Sequence, residues 1–238
     1  MNWHLQRWVK RVVKRYESWC LMGRSFVIVS NNCWGYELYD SVGSPYLTPF
    51  VGLFLFPECY ISLLESGFAA NLEKIRFTNS SRYYRDQTRY PVGVLDGGQE
   101  IHFLHERSAD EAAGKWHRRV QRMKQALLDP RSKILFKFCD REGCTDSHLS
   151  RFHGLPFPNK ISIGIRPFDA AGHVAVPYLG CRNKLHRDSV IDGQSLFRKR
   201  YSYFDITRWI KTGRVQTTAF SRLIERLNAF SRVRNSCS

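Results

Sequence analysis

No apolar run in this chain approaches the roughly 20 residues needed to span a bilayer. The longest, residues 50–56, lies between Pro49 and Pro57 and predicts a buried strand instead. The N-terminus lacks the apolar core followed by small residues that marks a secretory signal, which predicts a cytoplasmic protein. The cysteines number seven, an odd count without paired spacing, and this argues against a disulfide framework. There is no Walker A loop, no G-x-G-x-x-G, no G-x-S-x-G elbow and no H-E-x-x-H, so no standard cofactor is specified. A D-x-D pair, which would hold a divalent cation on a nucleotide-sugar diphosphate, is also missing. Acidic residues are scarce: 21 Asp and Glu face 37 Lys and Arg, leaving a net charge of +16 at pH 7. Such an excess implies an anionic partner, whether nucleic acid, an anionic membrane or a phosphorylated substrate.

The 238 residues present suit one large domain or two small α/β subdomains. At the N-terminus Leu5, Trp8, Val9, Val12, Val13, Tyr16 and Trp19 recur at helical spacing, with Arg7, Lys10, Arg11, Lys14 and Arg15 on the other side. Residues 1–22 therefore form a basic amphipathic helix. It suits the interface of an anionic membrane, or it packs on the domain with a solvated basic face. Strands are expected over 25–30, 50–56, 72–77, 134–138, 160–165 and 174–179, with a hairpin of 90–95 and 101–104 about the turn Asp96-Gly97-Gly98. Pro57 opens a helix through Leu64. Ser108 and Glu111 cap a longer one whose stripe is Ala112, Trp116, Val120, Met123 and Leu127. Further helices are expected from Thr145 and over 205–212 and 218–230. Strands alternating with helices predict an α/β fold with a mostly parallel sheet and flanking helices. Residues 23–185 make its core, and 186–238 a basic helical segment packing on it.

Three clusters invite chemistry. The first strand ends in Asn31-Asn32-Cys33-Trp34-Gly35, where an α/β active site is expected; amides orient sugars and an indole stacks on them. The plain alternative is a turn whose asparagines bond nearby backbone. His105 lies at the end of a strand and is placed to act as a general base, although a lone histidine is commonly structural. Arg118, Arg119 and Arg122 project from neighbouring sides of one helix, as bidentate phosphate recognition requires, or form a solvated face. Asp140 and Arg141 follow the strand 134–138 and add a second base and another cation. Cys139, Cys144, His148 and His153 imitate a zinc set, but the second Cys stands too close to the first His for a zinc finger.

Asn32-Cys33-Trp34-Gly35 with Tyr39, Ser44-Pro45-Tyr46 through Pro49, and Tyr90-Pro91-Val92-Gly93 with Asp96 form an ordered series. It continues through His102-Phe103-Leu104-His105, Glu111-Ala112, Trp116-x-Arg118-Arg119-x-x-Arg122, Asp140-Arg141 with Cys144-Thr145, and Phe152, Leu155-Pro156-Phe157 and Asn159-Lys160. Over roughly residues 25–165 the chain thereby resembles the bacterial DUF1919 family, a domain of unknown function whose members are often labelled exopolysaccharide biosynthesis proteins. The resemblance implies an α/β fold and a place in surface-polysaccharide assembly; the family has no agreed catalytic residues. The expectation is a metal-independent glycosyltransferase, peripheral on the inner face of the membrane, moving sugar from a nucleotide-sugar donor to a lipid-linked or polysaccharide acceptor. Arg118, Arg119 and Arg122 would neutralise the leaving diphosphate, His105 or Asp140 would take the acceptor's proton, and Asn32 and Trp34 would hold the sugar. No cofactor and no metal are expected. Acyl or acetyl transfer is the alternative, with His105 as base and the arginines on a coenzyme A phosphate. A non-catalytic scaffold is another. Nucleic-acid binding is disfavoured because the basic residues are dispersed and no reader motif appears.

Overall fold

In the computed structural model, which describes residues 3–181, 183 and 188–233, the apolar run after the N-terminal helix α1 (Trp3–Leu21) is strand β1 (Phe26–Ser30). It is buried along its whole length, and its period of two decides the layering. Phe26 and Ile28 enter one apolar core, Val27 and Val29 the other. Strand β5 (Lys133–Cys139) repeats the division, with Leu135 and Cys139 on the first side and Phe136 and Phe138 on the second. Together with β6 (Lys160–Gly164) and β7 (His173–Ala175) they form a parallel sheet in the spatial order β1-β5-β6-β7.

The first core is closed by α1, α2 (Glu37–Val42), α6 (Gly193–Arg198), α7 (Ile206–Thr212) and α8 (Ala219–Val233). The N- and C-terminal segments are therefore parts of one core rather than appendages. The second core lies under α3 (Pro57–Glu65), α4 (Ala109–Leu127) and α5 (Asp146–Gly154). It also includes residues of a small antiparallel sheet, β2 (Ile75–Thr78), β3 (Val92–Leu95) and β4 (Glu100–His102). The α/β class with a parallel sheet, flanking helices and an N-terminal helix is thus the observed architecture. β1 is an edge strand, and the Tyr39 hydroxyl serves its free side. The Tyr39 hydroxyl donates to the Phe26 carbonyl at 3.1 Å and accepts from the Ile28 N–H at 3.1 Å, while Tyr60 donates to the Val29 carbonyl at 2.9 Å.

The expected cap of α4 forms, and α7 is capped as well. The Ser108 hydroxyl accepts from the Glu111 N–H at 3.2 Å, and Asp205 caps α7 through the Thr207 N–H at 2.9 Å. Two strands differ from expectation. Residues 50–56 supply Phe50, Leu53 and Leu55 to the second core but form no strand. Gly52 turns the backbone at φ 77°, and Phe54 alone makes a bridge, to His102. Residues 174–179 divide into the end of β7 and a 3-10 turn over Pro177–Leu179, since Pro177 has no N–H for a ladder. Among the described residues no helix is long and apolar enough to cross a membrane.

Candidate functional site

A cleft of about 1060 Å³ opens beyond the carboxyl ends of β1 and β5. Asn31, Asn32 and Cys33 come from the end of β1, and Arg141, Glu142 and Gly143 from the end of β5. The segment after β4 adds Leu104, His105 and Glu106, while α4 presents Lys115 and Arg119 one turn apart. Asp192, Gly193 and Gln194 close the far side at the start of α6. Gly193 is required there, because a Cβ would stand 2.5 Å from the Asn32 Oδ1. The walls are aromatic: Tyr36 and Tyr46 in one group, and Phe54, Phe56, Tyr83, Tyr84 and Tyr90 in another. Within the second group Phe56 stacks on Tyr83, with ring centroids 3.7 Å apart.

Behind the floor lies a residue that sequence reasoning missed. Lys137 is wholly buried, because alternation along β5 places it beside Leu135 and Cys139. Its ammonium donates to Oδ1 of Asn32 at 2.9 Å and of Asn31 at 3.3 Å. Burial pushes its pKa below the ordinary lysine value, with the Cys139 sulfur and Asp140 opposing. An ammonium only donates, so it orients both amides with their oxygens inward. The Asn32 Nδ2 then donates to the Cys139 sulfur at 3.1 Å, but the buried Asn31 Nδ2 has no partner. A buried donor left unpaired costs about 1–3 kcal/mol. An acceptor oxygen on a bound ligand would satisfy it.

Of the residues predicted from the sequence, Asn32, His105, Arg119 and Arg141 meet at this cleft. Arg119 donates to the Val51 carbonyl at 3.0 Å and lies over the Tyr46 ring at 5.5 Å. Among the described residues no carboxylate pairs with it, whereas Lys115 is shared between Glu106 at 3.4 Å and Glu111 at 2.7 Å. Glu106, buried on the cleft wall, was also missed. His105 is exposed to the cleft, its Nε2 4.0 Å from the Cys33 sulfur. Burial raises the Cys33 thiol pKa, and the sulfur donates to the Leu53 carbonyl at 3.4 Å.

The other four predicted residues do not share this role. Arg118 and Arg122 are exposed and do not line the cleft, because α4 turns the Lys115–Arg119 edge toward it. Trp34 is in the first core, 1% exposed, its Nε1 donating to the Tyr203 hydroxyl at 3.1 Å, and no ring face is left for a sugar. Asp140 holds the chain together. Its Oδ2 accepts from the Ile165 N–H at 2.7 Å and its Oδ1 from the Val190 N–H at 2.9 Å, while Arg141 donates to the Val190 carbonyl at 2.9 Å. The zinc-like set is dispersed: Cys139 meets Asn32, His148 bonds Thr145 at the start of α5, and His153 bonds Ser162 at 2.7 Å. Among the described residues no group of three or more His, Cys, Asp or Glu is placed to hold a metal ion.

His102 stands behind the aromatic wall, stacked on Phe54 at 4.5 Å and ringed by Phe56, Tyr84 and Tyr90. Neither ring nitrogen has a hydrogen-bond partner, and burial lowers its pKa to about 4, against a smaller upward pull from Glu100. Between pH 6.5 and 4 the unfolded chain therefore binds a proton that the folded chain refuses, and stability falls as pH drops through that window. The loss approaches about 3 kcal/mol at its acid end. Denaturant unfolding of His102→Leu should show that part of the acid dependence gone; an unchanged dependence would mean that His102 does not titrate this way.

The sequence profile of the DUF1919 family, described as a domain of unknown function, matches residues 5–211. An uncharacterized protein of Haemophilus influenzae is 30% identical over 191 residues, which cover 79% of this chain and 85% of that one. The profile match is longer than the resemblance read over 25–165, extending from α1 into α7, in keeping with the single core these helices share with the parallel sheet. The chain belongs to the DUF1919 family.

Proposed function

We propose that this protein is a glycosyltransferase of bacterial surface-polysaccharide assembly, acting without a metal on a nucleotide-sugar or other phosphorylated donor and a lipid-linked or polysaccharide acceptor. One observation supports this reading above the others: a single cleft combines stacking faces with Arg119, a cation that makes no salt-bridge contact among the described residues, although the Glu106 carboxylate on the same wall favours its charge. Apolar ring faces suit the C–H faces of a sugar. Arg119, with Arg141 also on the cleft wall and paired with Glu142 at 3.5 Å, meets the charge that builds on a departing phosphate, where a preorganised cation is worth most. His105 takes the proton of the acceptor hydroxyl, and the free Asn31 amide donates to a ligand oxygen.

Incubation with labelled nucleotide sugars and membrane lipid should transfer label to the lipid or polysaccharide fraction. Absence of turnover with every donor would remove the proposal. Arg119→Ala should lower kcat about 10²–10³-fold, whereas Arg118→Ala, one residue away and turned to solvent, should leave it unchanged. Equal effects of the two would mean that diffuse charge, not Arg119, is at work.

Acyl transfer is a second reading, favoured by the nearness of Cys33 to His105, which suits a thiol nucleophile and its base. Thermal shift separates the two: stabilisation by coenzyme A and not by nucleoside diphosphates favours acyl transfer.

A further inference from the structure

The N-terminal helix carries its tryptophans in an unexpected place. Val9, Cys20 and Leu21 are buried in the first core, with Val12, Val13 and Tyr16 packed against it. That apolar face is therefore occupied by the protein itself. Trp8 and Trp19 are not part of it: they remain 48% and 72% exposed, and Met22, just past the helix, is 75% exposed. Trp8, Arg11, Arg15, Trp19 and Met22 follow one another at intervals of three or four, so they form one continuous outward stripe. Trp8 and Trp19 are about 16 Å apart along the axis.

The charge that α1 itself turns outward has one sign. Residues 3–21 contain a single acidic residue, Glu17, and it is turned inward onto Arg200. Lys10, Arg11, Lys14 and Arg15 are all exposed on the same helix, and the Lys211 ammonium stands 5.9 Å from the Trp19 ring centre. Single exposed apolar side chains need no explanation, but a continuous stripe that holds two indoles and a methionine marks an interaction surface. Indoles interleaved with guanidinium groups match the polar–apolar boundary of a lipid headgroup layer. There the ring sits among glycerol and carbonyl groups while the cations meet lipid phosphates.

We propose that the Trp8–Arg11–Arg15–Trp19–Met22 stripe docks the protein on an anionic phospholipid surface, with α1 lying in the plane of the interface while its opposite face remains packed on the core. Charge complementarity selects this occupant, and the two indoles select a bilayer over a nucleic acid backbone, which offers no apolar layer to receive them. A second hollow of about 750 Å³, lined by Lys10 and Lys14 from the neighbouring flank of the same helix and by Glu37, Asp40 and Glu225, shares Tyr36 and Gln194 with the main cleft. Docking through α1 thus brings the lipid surface beside a hollow that borders the cleft. The inference does not depend on the transferase reading, because binding is scored without any donor.

The test is sedimentation of the full chain with vesicles of phosphatidylcholine alone or with phosphatidylglycerol added. Binding is expected only to the anionic vesicles, with a blue shift of tryptophan emission. Trp8→Ala/Trp19→Ala should abolish the shift and weaken binding. Arg11→Gln/Arg15→Gln should weaken binding roughly thirtyfold. All four side chains are exposed, so circular dichroism and melting temperature should be unchanged. No sedimentation with anionic vesicles overturns the proposal. So does binding that both variants leave intact, or retention of duplex DNA on filters at a concentration where vesicles are not bound.

Discussion

Glu17→Ala is expected to destabilise the protein by about 3–5 kcal/mol, a large part of the roughly 5–15 kcal/mol that holds a domain folded. The Glu17 Oε1 accepts from the Arg200 Nε at 2.7 Å and from the Tyr201 hydroxyl at 2.9 Å, with the Arg200 Nη2 at 2.6 Å. The carboxylate is wholly buried and the guanidinium nearly so. Truncating the acid leaves the buried cation with only the Phe197 carbonyl, which its Nη1 reaches at 3.0 Å, and takes the carboxylate from the Tyr201 phenol, and that desolvation, rather than the loss of attraction, sets the size of the effect. The double variant Glu17→Ala/Arg200→Met should therefore recover much of the loss, since no buried charge is stranded. Urea unfolding of the two variants reads this directly. A single substitution costing less than about 1 kcal/mol would mean that the pair is hydrated. The pair also bears on docking. Together with Tyr16, which stacks on Phe220 at 3.5 Å and donates to Asp205 at 2.9 Å, it fixes α1 in rotation, so the tryptophans are held outward.

Local signals in the chain carried most of the architecture. Helices α4 and α7 are announced by Ser108 and Asp205, and β1 by a β-branched run, because capping and burial act over a few residues. Helices α2 and α6, six residues each, are too short for any period to show and depend on packing against the first core. Residues 50–56 have the composition of a strand, but a strand needs a ladder of partners, and here the Phe54 bridge to His102 and the Leu55 N–H bond to the Asn31 carbonyl at 2.9 Å do not make one. The cleft's location followed from the rule for strand ends; its membership did not. Which edge of α4 faces the cleft is set by how the helix rolls on Phe50 and Phe103, so Arg119 could not be told from Arg118 or Arg122. Gly35, at φ 94°, helps turn the loop that directs Trp34 inward, to a tyrosine 169 residues away. Lys137 is the one charged residue in an otherwise apolar strand core, and that incongruity was the available signal for the buried network under Asn31 and Asn32. The tyrosines of 83–90 become a wall only when the hairpin folds beside Phe56.

Two bases were equal candidates in the sequence, and their surroundings now predict opposite behaviour. His105→Ala should lower turnover by about 10²–10⁴-fold, with a change in stability within about 0.5 kcal/mol. The imidazole is exposed to the cleft, where the proposed acceptor would lie, and its Nε2 stands 4.0 Å from the Cys33 sulfur. Asp140 has the reverse character. Its two oxygens are occupied by the N–H groups of Ile165 and Val190, and it does not line the cleft. Burial raises its pKa, while those two N–H donors and Lys137 oppose the shift by favouring the carboxylate. Asp140→Ala leaves both donors without an acceptor and should cost about 3 kcal/mol or more. Asp140→Asn, which keeps one accepting oxygen, should lose less stability while retaining turnover per folded molecule. A melting curve and a turnover measurement on each variant separate the roles. Turnover abolished in Asp140→Asn at unchanged melting temperature would transfer the base to Asp140. Turnover that survives His105→Ala would leave the acceptor's proton to another group on the cleft wall, of which Glu106, held by Lys115, is the nearest in sequence.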